Sequence, residues 1–123
     1  MNILIVDDSR TMRMIVRRTL RQAEIGPHNV EEAENGQDAL AKLKAFPADL
    51  ILSDWNMPTM DGPALLAAVR ATGNARVKFG FITSQSSVES RETARAAGAS
   101  FLVTKPFTAE DIEAVVKPLR GGR

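Results

Sequence analysis

Three aspartates and one lysine each follow a short apolar run of the chain, and their side chains could together carry phosphoryl chemistry. They are Asp7, Asp8, Asp54 and Lys105. At an effective dielectric constant near 20, two carboxylates about 4 Å apart repel by roughly 4 kcal/mol, so three in a cluster call for a cation. Oxygen ligands without cysteine or paired histidine favour a hard ion such as Mg²⁺. That ion and Lys105 can neutralise phosphoryl oxygens while one carboxylate acts as the nucleophile and forms an aspartyl phosphate.

Two hydroxyl groups, those of Thr83 and Ser84, end a further apolar run. An aspartate that follows a strand is commonly a helix cap, and Asp8 by itself would be interpreted that way. Caps do not account for three carboxylates, two hydroxyls and one ammonium that all follow predicted strands. This conjunction favours a functional site.

The elements that must position these residues alternate between strand and helix. The run Ile3–Val6 has the length and continuous apolarity of a strand buried in a parallel sheet. Apolar residues then recur at helical spacing from Met12 to Leu20. The further predicted strands are a short one around Val30, then Leu50–Leu52, Val77–Thr83 and Phe101–Val103.

Five strand-then-helix units in series predict a doubly wound α/β domain with one parallel sheet and helices on both faces. In such a sheet, ligands bind beyond the carboxyl ends of the strands, where the polar residues described above are expected to meet. We expect Asn35 to cap a second helix through about Ala45, and Ser86–Glu89 to open the fourth. Thr108 should cap the last helix, and Pro118 should end or kink it.

The composition excludes several classes of function. A length of 123 residues predicts one domain over residues 1–123, and 25% charged residues is ordinary for a globular protein. A net charge of +1 gives no electrostatic basis for binding nucleic acid or an anionic membrane. The absence of cysteine excludes a thiol nucleophile, and the single His28 excludes a paired-histidine metal site. The longest apolar run, Ala64–Val69, is too short to span a bilayer, so we expect a cytoplasmic protein.

The motifs that contain these residues resemble those of the receiver domain of two-component response regulators, in order and over nearly the whole chain. They are Asp7-Asp8, Asp54-Trp55-Asn56-Met57-Pro58, Asp61-Gly62, Thr83 and Lys105-Pro106-Phe107. Within that family the sequence is most similar to the single-domain chemotaxis regulators. The resemblance implies a flavodoxin-like fold with strand order 2-1-3-4-5 and five helices.

The resemblance also assigns roles around the phosphorylation site. Asp54 would be the phosphoacceptor, giving a 4-aspartylphosphate. Asp8 and Asp54 would bind Mg²⁺ through their carboxylates and Asn56 through its backbone carbonyl, while Asp7 would act mainly through a metal-bound water. Lys105 would pair with the phosphoryl group, and the Lys105–Pro106 peptide would be cis.

The same resemblance implies a switch. Thr83 would donate its hydroxyl, and Ser84 its backbone N–H, to phosphoryl oxygens. On phosphorylation Thr83 would move, and Phe101, placed at the position of the family's rotating aromatic residue, would turn into the vacated space beneath the fourth helix. Two residues depart from the commonest pattern: Ser84 stands where alanine is usual, and Phe101 stands where the chemotaxis regulators carry tyrosine.

The function implied is phosphorylation-activated signalling by a monomer, not enzymatic turnover. The domain would take its phosphoryl group from a sensor histidine kinase, bind a protein target such as the flagellar motor switch, and catalyse only its own phosphotransfer and dephosphorylation. An alternative is a phosphate sink that drains a kinase. A phosphatase with an aspartyl nucleophile is disfavoured, because Asn56 occupies the position where its general acid would stand. A nucleotide-binding flavodoxin is disfavoured, because it would need a hydroxyl- or glycine-rich loop after the first strand, where Asp7 and Asp8 would repel phosphate unless a metal ion intervened.

Overall fold

The computed structural model describes residues 1–73, 76–84 and 87–121 and is built around a parallel sheet of five strands. The strands are β1 (Asn2–Val6), β2 (Asn29–Ala33), β3 (Leu50–Ser53), β4 (Lys78–Thr83) and β5 (Phe101–Thr104). They lie in the order β2-β1-β3-β4-β5, which confirms the predicted topology. The order reverses between β1 and β3, and ligands of such sheets bind at the carboxyl ends of the strands beside this reversal.

The described residues also form five helices. They are α1 (Arg10–Gln22), α2 (Gly36–Leu43), α3 (Gly62–Ala71), α4 (Val88–Ala96) and α5 (Ala109–Gly121). None of these helices has the length and apolarity needed to cross a membrane.

The predicted helix ends are partly confirmed. The Asn35 side chain accepts from the backbone N–H of Asp38 and opens α2. Thr108 Oγ1 accepts from the N–H of Asp111, whose carboxylate accepts in turn from the N–H of Thr108.

Two predicted helix ends differ from the structure. The helix α2 ends at Leu43, two residues before the predicted end, and Pro118 lies inside α5, which continues to Gly121. The helix α4 is capped by Ser87, whose side chain accepts from the N–H of Ser90. The predicted capping residue Ser86 lies outside the described residues. A proline in the last helical turn does not stop a helix whose preceding turns are packed on the sheet, since few hydrogen bonds remain for it to remove.

The sheet separates two apolar cores because successive strand side chains point to opposite faces. The helices α1 and α5 bury Val16, Leu20, Ile112 and Val116 against one face. The helices α2, α3 and α4 cover the other. Buried strand residues on the α1–α5 face are Ile3, Ile5, Leu50, Leu52, Ile82 and Val103, and those on the α2–α4 face are Leu4, Val6, Ala33, Ile51, Phe79 and Phe81.

Gly80, inside β4, makes room for an aromatic ring. Gly80 is paired in register with Phe101 of β5, and a Cβ atom on Gly80 would lie 2.2 Å from two ring carbons of Phe101. Any larger residue would therefore force the ring to move. The glycine that weakens the strand pattern in the sequence is thus the residue on which Phe101 packs.

We predict that Gly80→Ala lowers the free energy of unfolding by about 1–3 kcal/mol, as overpacking of a filled core does. Phe101→Leu removes the ring atoms that the new methyl group would meet. The double variant should therefore be more stable than the sum of the two single changes implies. Urea unfolding of the four proteins measures this coupling, and strictly additive changes would contradict the contact.

Candidate functional site

The carboxylates of Asp7, Asp8 and Asp54 meet at the carboxyl ends of β1 and β3. One carboxylate oxygen from each lies within 4.8 Å of the others. The backbone brings them together, because Asp54 N donates to Val6 O at 2.9 Å and so continues the β1–β3 pairing one residue past β3. The predicted convergence of these three aspartates is confirmed.

Lys105 bridges two of the three carboxylates. Its Nζ lies 3.4 Å from Asp7 Oδ2 and 3.5 Å from Asp54 Oδ2. Its backbone N–H donates to Thr83 O at 2.8 Å, and its peptide bond to Pro106 is cis, as the resemblance implied. A single ammonium balances only part of the charge of three carboxylates, so the cluster retains a net negative charge.

Asp7 is the buried member of the cluster, with 4% of its surface exposed. Burial raises the pKa of the Asp7 carboxyl above its usual range, and the nearby Asp54 carboxylate adds to the effect. The hydrogen bond that Ser9 N donates to Asp7 Oδ1 at 2.9 Å and the charge of Lys105 oppose the rise without cancelling it. Desolvation is thus the largest influence on this group.

Asp54 is fixed through both its carboxylate and its backbone. Trp55 N donates to Asp54 Oδ1 at 2.7 Å, which leaves Oδ2 on the side of Lys105. Ser53, fully buried at the end of β3, donates its hydroxyl to Asp54 O at 2.8 Å. The sequence analysis missed Ser53, although a polar residue that ends an apolar run beside the candidate nucleophile was a usable signal.

The loop after Asp54 depends on a close backbone approach. A Cβ atom on Gly62 would lie 2.4 Å from Asp54 O, so only glycine lets the first turn of α3 reach this carbonyl. Asp61 accepts from the N–H of Ala64 and caps α3, which gives the Asp61-Gly62 motif a structural role.

Within this loop, Thr59 has a φ of 73°, and Met60 N donates to Pro58 O at 2.7 Å across it. This is a γ-turn with positive φ, a strained conformation for a β-branched residue. The loop is therefore held by its two ends and not by local preference.

The remaining predicted site residues lie around the same rim. Thr83 is buried at the end of β4, and Ser84, which follows it, is exposed. Asn56 is exposed, two residues after Asp54. The predicted ligands fit a divalent ion, because an exposed Asp8, a half-buried Asp54 and a buried Asp7 offer oxygen atoms around one point and carry more charge than Lys105 balances.

The position of Phe101 does not fit its predicted switch role. Thr83 alternates with Phe81 and so shares the α2–α4 face, whereas Phe101 packs on Gly80 and against the α1–α5 core. The next residue, Leu102, packs on the α2–α4 face. Because its ring packs on the face of the sheet opposite to Thr83, Phe101 is not placed to turn into a space that Thr83 leaves.

Comparison with known proteins agrees with this geometry. Residues 3–117 match the family model described as response regulator receiver domain. The chemotaxis protein CheY-3 of Vibrio cholerae serotype O1 is 40% identical over 92% of this chain and 86% of its own length. The chemotaxis protein CheY of Pseudomonas aeruginosa is 39% identical over 98% of this chain and 100% of its own length.

Solved structures show the same fold. Vibrio cholerae CheY4 superposes with a TM-score of 0.85 at 34% identity, over 96% of this chain and 97% of that chain. The DrrB receiver domain of Thermotoga maritima, in a structure described as BeF3 activated, superposes with a TM-score of 0.82 at 28% identity, over 96% and 95%.

The burial of Asp7 makes stability depend on pH. Because the pKa of Asp7 is raised in the folded state, the folded protein binds this proton more tightly than the unfolded chain does. The contribution of Asp7 to the free energy of unfolding is therefore complete below about pH 3.8 and is lost as the pH rises through the raised pKa. We predict that Asp7→Asn raises the melting temperature at pH 7 in buffer containing a chelator, and that the difference shrinks towards pH 4. Thermal melts of both proteins across this range measure it. A variant less stable than the parent at pH 7 would contradict the assignment.

Proposed function

This chain belongs to the response regulator receiver domain family, and we propose that it receives a phosphoryl group on Asp54 from a sensor histidine kinase. The observation that carries the proposal is the geometry of one carboxylate. Asp54 Oδ1 is occupied by the N–H of Trp55, while Oδ2 lies 3.5 Å from Lys105 Nζ beside two further carboxylates. Asp54 Oδ2 is thus free to attack phosphorus. The positive charge of Lys105 lies close enough to pair with the oxygens of the incoming phosphoryl group.

In the transfer step the Asp54 carboxylate is the nucleophile, and no second nucleophile is needed. An Asp54 oxygen forms a bond to phosphorus as the bond from phosphorus to the donor imidazole breaks, and the electron pair of that bond stays on the imidazole nitrogen. Lys105 pairs with the transferred phosphoryl oxygens, to which the Thr83 hydroxyl and the Ser84 N–H donate. The acyl phosphate is later hydrolysed by water within the same site, so the protein catalyses only reactions of its own aspartate.

A divalent cation completes this site in the proposal. Asp8 and Asp54 would hold Mg²⁺ through carboxylate oxygens, Asn56 through its backbone carbonyl, and Asp7 through a bound water. When bound, Mg²⁺ supplies positive charge at the phosphoryl oxygens. The unbalanced negative charge of the cluster supports this assignment.

We assign the output to protein contact in chemotaxis, by a cytoplasmic monomer. The relatives that support this reading are named as chemotaxis proteins and match nearly the full length of the chain. The flagellar motor switch is the target we propose.

The switch in this proposal joins Thr83 to Leu102. An open groove of about 180 Å³ lies between α4 and β5, and its lining includes Ala94, Phe101 and Leu102. Once Thr83 turns towards the new phosphoryl oxygens, Leu102 can pack deeper on the face that both residues share. The surface of α4 and β5 then changes shape, which is what a partner would detect.

We predict that Asp54→Asn abolishes acid-stable, base-labile labelling by a small acyl-phosphate donor with Mg²⁺, because the amide cannot act as the nucleophile. Asp61→Asn is a matched control in the same loop, since asparagine caps a helix as well as aspartate does and should leave labelling intact. Mass spectrometry of the intact protein gives the stoichiometry. Stoichiometric labelling of Asp54→Asn would place the acceptor elsewhere.

The switch can be tested without the partner, because coupling between two sites is reciprocal. If deeper packing of Leu102 stabilises the phosphorylated form, Leu102→Ala should weaken the binding of beryllofluoride, an acyl-phosphate mimic, about fivefold or more. Phe101→Leu, on the other face of the sheet, should leave that affinity unchanged. Titrations followed by Trp55 fluorescence give both constants, and equal effects of the two variants would rule out the face-specific switch.

A further inference from the structure

Of the three carboxylates in the cluster, that of Asp8 is held by the fewest contacts. It is exposed, and no described residue donates a hydrogen bond to its carboxylate. Its direction therefore depends on the peptide group that joins it to Asp7. Because a peptide group is planar, fixing the carbonyl oxygen of Asp7 also fixes the plane from which Asp8 departs.

That carbonyl is held by an arginine of α1. Arg13 Nη1 donates to Asp7 O at 2.6 Å, a short charge-assisted bond. On the other side of the same residue, Asp7 N donates to Ala33 O of β2 at 3.1 Å. The backbone of Asp7 is thus fixed at both its polar atoms, and Arg13 fixes the one that belongs to the peptide of Asp8.

Arg13 is itself anchored by Glu32 of β2. Arg13 Nε donates to Glu32 Oε1 at 2.9 Å, and Arg17 Nε donates to Glu32 Oε2 at 2.9 Å. The Arg13 side chain is only 14% exposed, so the guanidinium group has little freedom to move away. The Glu32 carboxylate also offsets the positive charge of Arg13 near a site meant for a cation.

We propose that Arg13 is a positioning residue for the cation site, which directs the Asp8 carboxylate into the cluster by holding the carbonyl of Asp7, with Glu32 as its anchor. This inference rests on the proposed function, because the cation site is part of that proposal. The bonds that Arg13 donates go to Glu32 and to the Asp7 carbonyl, not to a carboxylate of the cluster. Its effect on the cation must therefore pass through the backbone to Asp8.

The sign of the effect separates positioning from simple electrostatics. If Arg13 acted only as a nearby positive charge, its removal would tighten the binding of Mg²⁺. If it positions Asp8, its removal should weaken binding about tenfold, as is typical when a group that orients a metal ligand is lost. The two explanations therefore predict opposite shifts.

The experiment titrates Mg²⁺ into the unphosphorylated protein and follows Trp55 fluorescence. Arg13→Ala should raise the Kd about tenfold, while Arg13→Lys, which keeps one donor for the carbonyl, should restore part of the affinity. Arg18→Ala is the matched control: Arg18 is exposed on the same helix, forms no ion pair with a described residue, and should not weaken binding. Glu32→Gln should weaken binding less than Arg13→Ala does, since it loosens the anchor and leaves the donor in place.

A kinetic readout separates positioning from loss of structure. In the labelling reaction, Arg13→Ala should need about tenfold more Mg²⁺ for half-maximal rate and reach the parent rate at saturation. A lower melting temperature with an unchanged or tighter Kd would overturn the role of Arg13 while leaving the proposed function intact. A parent protein whose fluorescence and melting temperature ignore millimolar Mg²⁺ would remove the cation site, and the role of Arg13 with it.

Discussion

Repulsion among three carboxylates, only partly offset by Lys105, is the constraint on which the rest of the site depends. Left alone, aspartates this close would separate or take up protons. They stay together because their backbones are fixed by the pairing of β1 with β2 and β3 and by the Ser53 and Trp55 bonds to Asp54. The sheet therefore stores an unfavourable charge arrangement that a cation or a phosphoryl group with its cation can relieve.

The same constraint explains features outside the acidic residues. Gly62 lets α3 begin against the Asp54 carbonyl, and the strained turn at Thr59 closes the loop that leads to it. Neither residue contributes a charged group. Both set where Asp54 stands relative to Lys105, which reaches the site from β5 at the far end of the sheet order. The geometry of the site thus depends in part on residues such as Gly62 and Thr59, which act through their backbone and carry no reactive side chain.

Much of the fold and of the site could be predicted from the sequence, since hydrophobic periodicity and the residues that follow a strand are local signals. The run Ile3–Val6 and the aspartates after it indicated both the strand and the site, and the resemblance supplied the strand order. The sequence could not reveal which face of the sheet a residue of the short strand β5 occupies, because a shift of one residue reverses the face. That register places Phe101 on the α1–α5 face and Leu102 on the α2–α4 face. Ser53 and Gly62 were also missed in their roles, since both act through a backbone carbonyl that no pattern of side chains displays.

The two faces of the sheet divide the work around the site. From the α1–α5 side, Arg13 approaches the carbonyl of Asp7 and is held rigid by Glu32. On the α2–α4 side, Thr83 shares its face with Leu102, which lines an open groove between α4 and β5. The proposed cation site benefits from tight anchoring on one side. The proposed switch needs space on the other side, and the parallel sheet keeps the two requirements apart because neighbouring residues of one strand point to opposite faces.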